Sequence, residues 1–166
     1  MSKPSLRILF VCLGNICRSP LAEIIAKHMA NERHISQLFH FESAGTGDWH
    51  IGAQADPRSI AVAQQHGLDL KEHCAQQVTT HNIHYWDYLI AMDHENRINL
   101  LAMGVPSHKI LMMRQFEENV HDINDVQTVS DPYYGGENGF EDTYKMLNHS
   151  TTCLLDELLE KVKRAG

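Results

Sequence analysis

A thiol, Cys12, and a guanidinium, Arg18, bracket the short run Leu13, Gly14, Asn15, Ile16, Cys17. Before them lies an apolar stretch, Leu6 to Val11, with Arg7 its only charge; after them come Ser19, Pro20 and a segment of helical spacing, Leu21 to Met29. Strand, loop and helix N-terminus in this order leave backbone N–H groups without helical partners, and the helix dipole adds positive potential there. Such a loop is an anion site. Gly14 and Asn15 tolerate the positive φ of a tight cradle. Ser19 is expected as the N-cap, with Pro20 where a missing N–H costs nothing. Arg18 offers a planar fork suited to two phosphate oxygens, and its charge in a first helical turn opposes the dipole unless an anion lies beside it. A cysteine at a strand end is more often a small packing residue. Here positive surroundings favour the thiolate, and a thiolate in a phosphate cradle points to attack on phosphorus through a covalent intermediate. Cys12 is then the nucleophile and Arg18 the phosphoryl clamp.

The longer string Val11-Cys12-Leu13-Gly14-Asn15-Ile16-Cys17-Arg18-Ser19-Pro20, close to the start of the sequence, resembles the signature loop of the low-molecular-weight protein tyrosine phosphatases. Far downstream, Ser130-Asp131-Pro132-Tyr133-Tyr134-Gly135 resembles that family's general-acid loop, and the length of 166 residues matches as well. The resemblance implies hydrolysis of phosphotyrosine in protein substrates, without metal or cofactor. It also implies that Asp131, which periodicity alone cannot bring near Cys12, protonates the leaving oxygen and then deprotonates the attacking water.

The same resemblance assigns further residues. Asn15, Ser19, Ser43 and His73 would hold the loop by hydrogen bonds, Ser19 donating to Cys12, with His66 as the rival for the histidine. Gly14 and Cys17 would complete the phosphate cradle. Leu13, Ile16, Trp49, Tyr133 and Tyr134 would wall a slot for an aryl ring, and Tyr133 and Tyr134 are themselves candidates for phosphorylation. Cys17 is open to two readings, a small packing residue or a reversible disulfide partner that protects Cys12 from overoxidation.

These residues need a scaffold. Residues 6–12 read as a buried parallel strand, and 19–33 as a helix with Leu21, Ile24, Ile25, His28 and Met29 inward. Phe39 to Ser43 reads as a strand, followed by a Gly-rich loop, 44–52, that carries Trp49. A helix spans 57–66 behind Asp56-Pro57 and stops at Gly67. A short turn of helix and an irregular connection fill 68–86. Tyr88 to Met92 reads as a strand, 93–103 as a helix stopped by Gly104, Lys109 to Met113 as a strand and 114–138 as a long functional loop. Phe140, Tyr144, Leu147, Thr151, Leu154, Leu155, Leu158 and Val162 lie at helical spacing in one long C-terminal helix. The expectation is an α/β fold: one domain spanning 1–166, a four-stranded parallel sheet with helices on both faces, and the phosphate loop between the first strand and the first helix. A ligand then sits at the carboxyl ends of the strands, where their order switches.

Composition bounds the rest. Hydrophobic content of 43% and charged content of 21% are those of an ordinary globular domain, and a net charge of −7 with no basic stripe argues against nucleic-acid or anionic-membrane partners. Four cysteines without a Cys-x-x-Cys are too few for a disulfide scaffold. The first apolar run is too short for a signal segment or a membrane span, so a cytoplasmic protein with reduced thiols is expected, a monomer or weakly self-associating. The twelve histidines form no His-Glu-x-x-His helix, and His81 with His84 lacks further ligands, so no metal is expected. Asn148-His149-Ser150 fits a glycosylation acceptor, which means nothing in a cytosolic chain. Arsenate reduction on the same fold would need another cysteine near Cys74. A phosphoarginine phosphatase resembles a type with threonine where Ile16 stands here. A non-catalytic phosphopeptide-binding module would be expected to lose Cys12 or Asp131. A thiol oxidoreductase would leave Arg18 without purpose.

Overall fold

A computed structural model describes residues 4–118, 128–133, 135–136 and 138–165. Four strands, β1 (Leu6–Cys12), β2 (Phe39–Gly45), β3 (Tyr88–Ala91) and β4 (Ile110–Met112), form one sheet. All neighbours pair in parallel, in the order β2-β1-β3-β4. Four α-helices join and flank them: α1 (Arg18–Glu32), α2 (Pro57–Gln65), α3 (His94–Ala102) and α4 (Gly139–Ala165). Short 3-10 turns at Ser36–Leu38 and Ser107–Lys109 lead into β2 and β4.

Alternation along β1 divides the interior. Ile8, Phe10 and Cys12 face a large core shared with α1, α2 and α4, including Leu21, Ile25, Val62, Leu147, Leu154 and Leu158. Leu9 and Val11 face a second core with Leu89, Leu100, Ile110 and Trp86, closed by α3. Helices therefore cover both faces, as parallel sheets require.

Two local expectations are corrected. Helix α1 starts at Arg18, with Cys17 in the cap position and no side-chain cap bond. Ser19 is not the cap because its hydroxyl is engaged with Cys12 and Asn15 inside the loop. The inward face of α1 is Leu21, Ala22, Ile25, Ala26 and Ala30. The small alanines set that face close to its neighbours, which leaves His28 exposed and paired with Glu32 at 2.9 Å. Residues 68–86 follow the expected irregular path: a single helical turn, closed by the Ile83 N–H on the Thr79 carbonyl at 3.2 Å, further turns and a Gln77–Gly45 bridge carry the chain across. Of the long loop at 114–138, residues 119–127 and the individual positions Tyr134 and Glu137 lie outside the described residues.

The sheet order fixes where a site can form. The chain leaves β1 for β2 on one side, then crosses to β3 on the other, so the order switches between β1 and β3. A crevice opens there at the carboxyl ends of the strands. Cys12 ends β1, and Asp93 follows the end of β3 as the N-cap of α3, in a capping box with Asn96.

Candidate active site

The loop after β1 is held from within. Asn15 adopts φ +58°, the left-handed conformation expected of a tight cradle, and its side chain is fully buried. Its Nδ2 donates to Ser19 Oγ and Ser43 Oγ, both at 2.9 Å, and its Oδ1 accepts the Gln76 N–H at 2.9 Å. His73 Nε2 lies 2.7 Å from the Asn15 carbonyl oxygen. His66, the rival histidine, lies elsewhere: it stacks on Tyr144 and pairs with Glu141 at 3.0 Å, joining α2 to α4. Ser43 in turn donates to Glu23, which Lys27 pairs at 2.6 Å.

The Cys12 thiol is 2% exposed and sits at the floor of this cradle. Its sulfur is 3.0 Å from Ser19 Oγ and accepts the Asn15 N–H at 3.3 Å. Backbone just past the end of β2 closes the other side. Thr46 N–H donates to the Cys12 carbonyl and Gly47 N–H to the Leu13 carbonyl, each at 2.9 Å. A Cβ on Gly45 would come within 2.6 Å of the Leu13 carbonyl oxygen, so only glycine permits this approach.

Arg18 links the two strand ends. Its Nη1 donates to Asp93 Oδ2 at 2.6 Å and to the Val129 carbonyl at 2.9 Å, while Nη2 lies 3.6 Å from Asp131 Oδ2. Burial works against the charge of Arg18, yet Cys12, Asp93 and Asp131 outweigh it and hold the guanidinium more firmly protonated than usual. Asp131 is partly exposed, and its Oδ1 accepts the Tyr133 N–H at 3.0 Å. Cys17 shares the cleft but is a different thiol. Burial first, then the charges of Asp56, Cys12 and Asp131, push its pKa up to about 12.

Cys12, Leu13, Gly14, Ile16, Cys17, Arg18, Trp49, His50, Asp131 and Tyr133 line one cleft of about 430 Å³. That is within the roughly 300–1,000 Å³ of small-molecule sites. Trp49, 69% exposed, is a rim residue and not core, with Leu13 and Tyr133 beside it. The structure thus brings Cys12, Arg18 and Asp131 to one cavity, with Asn15, Ser19, Ser43 and His73 behind it; Tyr134 lies outside the described residues. A thiol, an anion clamp and a carboxylic acid around one hole are the parts of a nucleophilic displacement. Among the described residues, no group of three or more His, Cys, Asp or Glu side chains is arranged to hold a metal ion.

The family model of the low molecular weight phosphotyrosine protein phosphatases matches residues 7–164. The chain belongs to this family. It is 36% identical to the low molecular weight protein-tyrosine phosphatase A of Mycobacterium tuberculosis, covering 100% of this chain and 99% of the relative. To the low molecular weight protein-tyrosine-phosphatase of Streptomyces coelicolor it is 37% identical over 95% and 96% of the two chains. A solved protein tyrosine phosphatase from Entamoeba histolytica, crystallised with Hepes in the active site, superimposes with a TM-score of 0.84 at 36% identity, over 95% of this chain and 99% of that one. Family membership makes this a chain of the hydrolase type and agrees with the parallel α/β sheet. Asp93, Glu23, Gln76 and His50 were not singled out for the site. Asp93 reads as a helix start, and the sheet order that sets it beside Arg18 was the only signal that could have exposed its second role.

Proposed function

We propose that this protein hydrolyses phosphotyrosine in protein substrates through a phosphocysteine intermediate. The observation that carries the reading is Arg18, buried between Cys12 and two carboxylates, one of them Asp131. Cys12 sulfur attacks phosphorus in line with the tyrosyl oxygen. The S–P bond forms as the P–O bond breaks, and Asp131 gives its proton to the departing phenolic oxygen. Water then attacks phosphorus, Asp131 takes its proton, and the P–S bond breaks to return the thiolate and release inorganic phosphate. Arg18 and the loop N–H groups carry the charge on the equatorial oxygens, and no metal is called on. Ser19 and the Asn15 N–H stabilise the sulfur as it leaves phosphorus. Leu13, Ile16, Trp49 and Tyr133 offer apolar walls to an aryl ring and favour it over a short phosphoserine stem. One catalytic unit spans 1–166, acting in the cytoplasm on phosphoproteins as a monomer or a weakly self-associating protein. All four of its cysteines are free thiols, which suits a reducing compartment.

The test is turnover of an aryl phosphate with chelator present. The wild type turns over, Cys12→Ser does not, and Asp131→Ala loses about 10²–10⁴-fold. Normal rates in Cys12→Ser would remove the nucleophile assignment. An inactive wild type that binds phosphate would make the protein a binding module.

A further inference from the structure

Arg58 lies in the first turn of α2 and does not line the cleft. Its charge there opposes the helix dipole, as that of Arg18 does in α1. Asp56, the N-cap of α2, answers it. Arg58 Nε and Nη2 meet the two Asp56 carboxylate oxygens at 3.0 and 2.9 Å, and the Arg58 backbone N–H donates to Asp56 Oδ1 at 2.8 Å. Two of the three guanidinium nitrogens are thereby locked to the rigid start of a helix. The third, Nη1, points away and donates to the Tyr133 carbonyl at 3.1 Å. The guanidinium carbon lies 5.2 Å from the Tyr133 ring centre and 4.5 Å from that of Phe140, at the start of α4.

The grip reaches the acid through one residue. The carbonyl of Tyr133 is held by Arg58, and its N–H is the group that occupies Asp131 Oδ1. Asp131 Oδ2 is left toward Arg18 and the cleft. On the other flank, Arg18 holds the Val129 carbonyl and Arg114 the Thr128 carbonyl. Arginines therefore fix the segment on both sides of Asp131, and Arg58 supplies the hold that follows it.

We infer that Arg58 is a positioning residue for Asp131, fixing the 131–133 turn so that one carboxyl oxygen is aimed at the leaving group. The inference rests on Asp131 being the general acid, and it predicts which substrates need Arg58. An ester whose leaving oxygen is strongly basic requires the proton; an activated one departs without it.

The experiment measures kcat/KM for aryl phosphates from phenyl to dinitrophenyl phosphate, normalised to the folded fraction by circular dichroism. Arg58→Met keeps a stem over the rings and removes the fork. It should lose about 10–100-fold on phenyl phosphate and less than about threefold on the dinitrophenyl ester. Arg58→Lys, which keeps the charge without the fork, should fall between. The double variant Asp131→Ala/Arg58→Met should match Asp131→Ala alone within about twofold, because a residue acting through Asp131 has nothing left to position. Inhibition by inorganic phosphate should not change. An equal loss across the series, or a further loss in the Asp131→Ala background, overturns the inference. The two readings fail separately: an active Cys12→Ser removes the site chemistry, whereas an inactive Cys12→Ser with a flat Arg58→Met series removes Arg58 alone.

Discussion

Two cysteines five positions apart in sequence occupy one cleft and differ in chemistry. Cys12 lies under Ser19 and the Asn15 N–H, whereas Cys17 is driven to about 12 by burial and by acidic neighbours, so it remains a neutral thiol even at pH 9. Iodoacetamide at pH 7 should therefore label Cys12, with loss of activity, and the exposed Cys74, but leave Cys17 unmodified, as read by peptide mass spectrometry. Inorganic phosphate should protect Cys12 and not Cys74. Labelling of Cys17 as fast as Cys74 would contradict the environment described. The same contrast marks what was legible at this scale. Cys12, Asn15, Arg18 and Ser19 are near neighbours in one loop, and local rules connect them. Asp56 and Arg58 signal only a helix start, since the Tyr133 carbonyl that gives Arg58 its second partner is 75 residues away. Asp93 likewise reads as a cap, because its charge partner Arg18 is 75 residues upstream.

Elements place these residues by close backbone approach as much as by hydrogen bonds. At the end of β2, Gly45 sets its Cα against the cradle, where an added methyl would meet the Leu13 carbonyl oxygen at 2.6 Å and the Asn15 nitrogen at 3.1 Å. Both obstacles are backbone, so relief requires the loop itself to move. Gly45→Ala should cost about 10–100-fold in kcat/KM through a misplaced cradle. Gly52→Ala is the control. Gly52 has φ +83° with open space around it, so that substitution adds strain of about 1 kcal/mol and should lower the Tm while sparing turnover. If the two substitutions lowered activity alike, the close approach at Gly45 would not be the reason. Short apolar runs and period-3.6 patterns revealed the strands and helices to within a residue or two, because the strands are buried on both faces and each helix buries one. They misplaced His28, since the close-packed face of α1 is built on alanines, whose small side chains give a weak signal. They said little of 68–86, where turns and side-chain bonds from Gln76 and His73 replace periodic burial.

At the scale of the whole molecule, a net charge of −7 surrounds a cleft built to take an anion. The two facts act at different distances. In the proposed reaction Arg18 and the cradle work in contact with the phosphate, where solvent and salt screen little. The acidic surface acts over the approach, where the Debye length is about 8 Å at physiological ionic strength. Salt should therefore leave the bound-state chemistry nearly unchanged and alter encounter, so its effect belongs in kcat/KM and not in kcat. For a phosphotyrosine peptide flanked by glutamates, repulsion is relieved as salt rises, and kcat/KM should increase by about two- to threefold between 20 and 300 mM NaCl. For the same peptide flanked by lysines, attraction is screened and kcat/KM should fall. For a small neutral-bodied aryl phosphate the change should be smaller than for either peptide. The salt titration of these three substrates tests the separation directly: opposite slopes for the two peptides at constant kcat require a field around the molecule that is independent of the cradle. Parallel slopes would place the discrimination at the cleft itself, which Trp49, His50 and Tyr133 help to line.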